Sequence, residues 1–98
     1  MSYLMGIDLG STSLKSAVYD LKGNVISSGT CPTERYHTDP QHSDWTVWKP
    51  EQIWNGTSNA IREAVARIDD PRKVKAVAVT GMGMDGLPVD DQGHWKTS

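Results

Sequence analysis

At 98 residues the chain has room for one small domain with a single compact core, because a domain of this size buries a smaller share of its surface than a larger one. Ten basic against twelve acidic residues leave a net charge of -2, which gives no electrostatic reason to expect a nucleic-acid or anionic-membrane partner. Hydrophobic residues at 37% exclude a disordered chain, no apolar run reaches the ~20 residues of a membrane-spanning helix, and the single Cys31 excludes an intramolecular disulfide.

Met1 to Ile7 lacks the basic start and long apolar stretch of a secretory signal, so a cytoplasmic address is expected. Tyr3 to Ile7 is a short apolar run that reads as a strand buried on both faces. Leu14 to Tyr19 reads as a second strand, and Asp20-Leu21-Lys22-Gly23-Asn24 supplies turn residues that tolerate positive φ. Val25 to Thr30 follows as a third strand. Together these predict an antiparallel meander.

From Cys31 to Lys49 no period of 2 or 3.6 residues is sustained, which predicts a long loop. Pro50 suits the first position of a helix and Glu51 suits its dipole, while Ile53, Trp54, Thr57, Ile61, Ala64, Val65 and Ile68 recur at spacings of three and four as an apolar stripe. Asp69-Asp70-Pro71 ends the helix. Val74 to Thr80 is rich in β-branched residues and predicts a well-buried fourth strand, parallel to the first because a helix intervenes. A glycine-rich loop, Gly81 to Gly86, follows it; Leu87 to Val89 is expected to begin another strand, and Asp90-Asp91-Gln92-Gly93 to turn the chain. The order of elements predicts an α/β arrangement on a mixed sheet.

The turn after the first strand, Asp8-Leu9-Gly10-Ser11-Thr12-Ser13-Leu14-Lys15, carries the chemistry. Small residues leave backbone N–H groups uncovered, and several of them pointing together form a nest for phosphate oxygens, here at Gly10, Ser11, Thr12 and Ser13. A carboxylate at the end of a buried strand would be poorly solvated unless it met a cation, and hydrated Mg²⁺ accompanying nucleotide phosphates fits Asp8. Lys15 would neutralise a transferred phosphoryl group. The same string also suits an ordinary hairpin in which Asp8 and Lys15 merely pair at the surface. A chain that needs only to reverse, however, is served better by two residues such as Asp-Gly.

The stretch GIDLGSTSLKSAVYDLKGNVI resembles the first phosphate motif of the actin-like ATPase (ribonuclease H-like) fold in the form used by the FGGY carbohydrate kinases. The loop DWTVWKPEQIW, the amphipathic helix, the strand AVAVTG and the turn VDDQG agree in order, so the resemblance covers essentially the whole chain. It implies that residues 1–98 are the amino-terminal portion of the first of two domains, an incomplete domain that would not turn over alone. The implied reaction transfers the γ-phosphoryl group of ATP to a hydroxyl of a sugar or polyol, with Asp8 orienting hydrated Mg²⁺, Gly10, Ser11, Thr12 and Ser13 cradling phosphate, and Lys15 near the γ-phosphate. No catalytic residue is implied here, since the family's general base is a downstream aspartate.

After the fourth strand, xylulose kinases often carry Gly-Gln-Met-His-Gly; this chain has Gly81-Met82-Gly83-Met84-Asp85-Gly86, nearer the Gly-Val-Asp pattern of rhamnulose kinases. Met84 and Asp85 are the implied sugar contacts, with Asp85 accepting from vicinal hydroxyls. The competing roles are an acidic turn cap for Asp85 and gap filling for Met82 and Met84. Trp45 is the candidate for stacking on the sugar, whereas Trp54 on the helical stripe is expected in the core. His37, Asp39, His42 and Asp44 lack fixed helical spacing and read as a solvated loop rather than a metal site. Two rival readings remain, an actin-like ATPase of chaperone type and a binding module without nucleotide function. Exposed strand edges and apolar surface also predict self-association, which light scattering at high concentration checks: a monomer would contradict it.

Overall fold

The computed structural model describes residues 2–36, 41, 48–81 and 90–94. Strands β1 (Tyr3–Leu9), β2 (Ser13–Asp20) and β3 (Val25–Pro32) precede helix α1 (Pro50–Ala66), and a 3-10 turn (Pro71–Lys73) leads into β4 (Val74–Gly81). The sheet order is β3-β2-β1-β4, antiparallel across β1–β2 and β2–β3 and parallel across β1–β4. The expected mixed α/β sheet, meander and parallel fourth strand are all present.

Two turns share one construction. Gly23 and Gly93 both take positive φ, 87° and 83°, and each N–H donates to the carbonyl of an aspartate three residues earlier. Asp20 Oδ1 accepts the Lys22 and Asn24 N–H groups, just as Asp90 Oδ1 accepts those of Gln92 and His94. The Asn24 amide, which donates to Asp20 Oδ2 at 3.0 Å, is the main cause holding the Asp20 carboxyl below its usual value. The proposed strand from Leu87 to Val89 lies outside the described residues.

Helix α1 starts at Pro50 with Glu51 in its first turn and lies over β3 and β2, touching β1 only at its margin. Its buried residues are Gly56, Ala60 and Ala64, spaced by four, so the helix meets the sheet along a seam of small side chains. Close approach follows from that seam. A Cβ on Gly29 in β3 would sit 2.1 Å from the Ala60 carbonyl oxygen, and one on Gly56 would sit 2.7 Å from Leu14 Cδ1. Ser27 Oγ donates to the Ala64 carbonyl at 2.6 Å and Arg67 Nη1 to the Ser28 carbonyl at 3.2 Å, fastening the second half of the helix to β3. Beneath it Leu14, Ser16 and Val18 are fully buried.

Four expectations need correction. Trp54 is 74% exposed, because the helix turns its small residues, not its largest one, toward the sheet. Of the stripe read from the sequence only Ala64 is buried; Ile61, Val65 and Ile68 pack at the flank of the core. Strand β1 is buried on one face only: Tyr3 and Met5 lie toward the helix, whereas Leu4 faces the open side. Strand β4 is not well buried, since among the described strands it lies at the edge of the sheet away from β2 and β3, over which α1 lies, and Val77 and Val79 are 55% and 62% exposed.

One further tie joins the end of the helical segment to β1. The Tyr3 hydroxyl donates to Asp69 Oδ1 at 3.1 Å and Lys73 Nζ to Asp69 Oδ2 at 2.5 Å. The lysine's hydrogen bond is the main reason the Asp69 carboxyl is held below its usual value, while desolvation, then the hydrogen bond to Asp69, raises the Tyr3 phenol.

Candidate functional site

Side chains alternate across a strand, so the face of the sheet away from α1 can be read from the register. Asp8 pairs with Lys15 on one side and with Thr80 on the other, and Lys15 pairs with Thr30. Thr30, Lys15, Asp8 and Thr80 therefore form one polar row across all four strands. The next row, Ser28, Ala17, Gly6 and Ala78, is made of small residues, and the two rows together floor a concavity of about 570 Å³ closed at one side by Tyr19.

Asp8 sits within β1 and is exposed, not stranded without solvent as the sequence suggested. Its carboxylate needs no cation to be tolerated there, so desolvation does not argue for a metal. Geometry does. Among the described residues neither Asp8 nor Lys15 takes part in an ion pair or a side-chain hydrogen bond, although they face each other across the register. The simple surface pair is not formed, and an unspent carboxylate and an unspent ammonium stand side by side at the mouth of the loop.

The loop itself is tight. Leu9 pairs with Leu14, and the Gly10 N–H donates to the Ser13 carbonyl at 3.0 Å, which leaves Ser11 and Thr12 at an exposed tip. The loop is thus no longer than a plain reversal, and the Gly10 amide is not free for a ligand. A Cβ at Gly10 would lie 2.7 Å from the Ser13 carbonyl oxygen and 3.9 Å from Asp8 Oδ1, so the residue is glycine for want of space. Among the described residues the Ser11 and Thr12 amides donate to nothing.

Thr33, just beyond β3, fixes how those amides point. Its N–H donates to the Thr12 carbonyl at 3.0 Å and its Oγ1 to the Gly10 carbonyl at 2.8 Å. In a trans peptide the N–H points opposite to the C=O of the same unit. With the Gly10 and Thr12 carbonyls drawn toward Thr33, the N–H groups of Ser11 and Ser13 are turned away from it, onto a common side. Amides turned to a common side are what a backbone anion nest requires. Thr33 was not singled out from the sequence, where it sits in a featureless polar stretch; a lone threonine more than 20 residues from the loop gives no local signal.

A bound divalent cation fits this donor set in one particular way. Among the described residues no group of three or more His, Cys, Asp or Glu side chains converges, so the chain makes no closed cage. A single free carboxylate suits Mg²⁺, which keeps much of its water and shares its coordination with phosphate oxygens. Trp45, Met84 and Asp85, and the His37 to Asp44 group, lie outside the described residues.

The chain is similar to known kinases. It is 32% identical over 79 residues to a glycerol kinase of Leifsonia xyli subsp. xyli, covering 80% of this chain and 15% of that protein, and 34% identical over 79 residues to a glycerol kinase of Paenarthrobacter aurescens, with the same coverage. Among solved structures, a ligand-bound xylulose kinase from Lactobacillus acidophilus superposes with a TM-score of 0.85 at 20% identity, over 99% of this chain and 19% of that one. A xylulose kinase from Rhodospirillum rubrum gives 0.81 at 23% identity, over 97% and 19%. The chain thus spans less than a fifth of the length of these relatives, and it shares the fold of the structural neighbours, as the resemblance to the actin-like ATPase fold implied. Residues 3–96 match the profile described as "FGGY family of carbohydrate kinases, N-terminal domain", and the chain belongs to that family.

Proposed function

We propose that the polypeptide carrying this sequence transfers the γ-phosphoryl group of ATP to a hydroxyl of a sugar or polyol, and that residues 1–98 supply its phosphate loop and part of the sugar site. The observation that carries the reading is the loop tip: among the described residues, the amides of Ser11 and Thr12 have no partner, and the adjacent Asp8 and Lys15 hold no ion pair or side-chain hydrogen bond. The glycerol kinase relatives support the class of acceptor.

Phosphoryl transfer is mostly positioning and neutralisation of charge. The nest turned away from Thr33 binds phosphate oxygens with fixed dipoles that need no reorganisation during the reaction. Lys15 holds a positive charge over the same mouth. Asp8 would hold Mg²⁺ through water, and the ion supplies neutralisation of the phosphates when bound. The general base is assigned to an aspartate outside residues 1–98, so this stretch alone would be inactive. Trp45, Met84 and Asp85 complete the sugar wall in this reading.

A cytoplasmic setting, where ATP and Mg²⁺ are supplied, accompanies the proposal; among the described residues no helix is long and apolar enough to cross a membrane. Exposed Val77 and Val79 on β4, whose outer edge pairs with no described strand, support the expected self-association.

The test is a coupled assay of ADP release with a panel of glycerol, ketopentoses, 6-deoxyketohexoses and gluconate, run on the full-length polypeptide with detection of the phosphorylated product. ADP release that depends on an acceptor and yields its phosphate ester is expected. Hydrolysis of ATP with no phosphorylated acceptor would instead favour the chaperone-type ATPase.

A further inference from the structure

We infer that Thr33 is a positioning residue for the phosphate loop, acting through the two loop carbonyls it holds. The inference rests on the nucleotide reading above and adds to it the residue that sets the direction of the nest.

The loop is only as useful to an anion as its amides are aligned, and nothing within Gly10 to Ser13 aligns them. The Gly10 N–H to Ser13 carbonyl bond closes the hairpin but leaves the peptide planes at the tip free to rotate. Residues of such a tip flip between conformers when no partner restrains their carbonyls, because a peptide plane can turn over by compensating changes in the ψ and φ on either side of it. Thr33 supplies both restraints at once. Its Oγ1 holds the Gly10 carbonyl at 2.8 Å and its N–H holds the Thr12 carbonyl at 3.0 Å. The first bond orients the Ser11 N–H and the second the Ser13 N–H. Thr33 is half-buried, and among the described residues its hydroxyl donates to the Gly10 carbonyl alone.

The backbone bond persists whatever the side chain, but the hydroxyl bond does not. Removing Oγ1 frees the Gly10 carbonyl, and with it the Ser11 amide that the Gly10 peptide carries. Serine keeps the donor; valine keeps the shape and loses it. The affected quantity is binding of phosphate, not of the rest of a nucleotide.

The experiment uses the full-length polypeptide and compares equilibrium binding of Mg-ATP with binding of adenosine by titration calorimetry. Thr33→Val is expected to weaken Mg-ATP about tenfold, the size of one lost hydrogen bond that orders a ligand group, with adenosine affinity unchanged. Thr33→Ser should restore the Mg-ATP value. If valine is not accommodated, Thr33→Ala removes the same donor and carries the same expectation. An unchanged ratio of ATP to adenosine affinity in both hydroxyl-free variants overturns the inference, as does an equal loss for both ligands. Asp8→Ala is measured alongside: if it too leaves the ratio unchanged, the fault lies with the phosphate reading of the loop; if it alone lowers the ratio, that reading stands and Thr33 has no part in it.

Discussion

Asp8→Asn is expected to lower turnover of the full-length polypeptide on the order of 10²–10³-fold while leaving its melting temperature within about a degree. The two halves of that expectation come from one observation. Asp8 is exposed in β1 and, among the described residues, holds no ion pair or side-chain hydrogen bond. The fold gains nothing from its charge, so removing the charge costs the fold little. Asparagine keeps the volume and one carbonyl oxygen but no longer attracts a hydrated cation, and the developing charge on the phosphates then goes uncompensated on that side. Steady-state kinetics with acceptor and Mg-ATP saturating, together with a thermal melt, check both parts. A turnover close to that of the unmodified protein would remove Asp8 from the site.

Gly29→Ala is expected to do the reverse, destabilising the domain by about 3 kcal/mol or more and lowering its melting temperature by more than about 10 °C. A methyl group there would be placed 2.1 Å from the Ala60 carbonyl oxygen, 2.8 Å from Glu63 Cβ and 3.0 Å from the Ala60 carbonyl carbon. Two of these atoms are helix backbone. They cannot swing aside as a side chain does, so α1 must move as a body away from β3. That lift loosens the cover over Leu14 and Val18 and stretches the 2.6 Å bond from Ser27 to the Ala64 carbonyl. Gly56→Ala makes a useful comparison, because its added methyl meets first the tip of Leu14, which can change rotamer, and should cost less. Thermal melts followed by circular dichroism rank the two. A Gly29→Ala protein as stable as the original would mean that the helix does not approach the sheet as closely as described.

Much of the fold was legible because its signals are local. Asp20 to Asn24 and Asp90 to Gly93 declare their turns through an aspartate that can bond forward and a glycine that can take positive φ, and both turns form as read. Pro50 marks where α1 starts, whereas Pro71, read as closing that helix, opens the 3-10 turn that leads into β4. The failures are of another kind. Periodicity weighs large apolar residues, so it chose Trp54 and Ile61 for the helix face, whereas the spacing between α1 and the sheet is set by Gly56, Ala60 and Ala64, of which it picked out Ala64 alone. Strand β4 has the composition of a buried strand, but burial depends on what lies against it, and α1 covers only the other half of the sheet. At the site, Asp8, Lys15 and the loop were visible as a motif. The control of the loop by Thr33 was not, because it arises from the register of β2 against β3, which brings Pro32 opposite Ser13 and carries Thr33 to the loop carbonyls.

The pairings of the sheet also differ greatly in how much chain each must close. Partners in the two hairpins are at most 19 residues apart, Ser13 with Pro32 being the widest, whereas Tyr3 pairs with Val74 across 71. Forming a contact early requires that its ends already exist and meet at small entropic cost, and both conditions favour the hairpins. During synthesis the bend from Gly10 to Ser13 and the threonine bonded to its carbonyls are complete once residue 33 has emerged, some 40 residues before β4 can dock. The loop that carries the proposed site is therefore assembled from the molecule's most local contacts, and the long-range strand is added to a bend that has already taken shape.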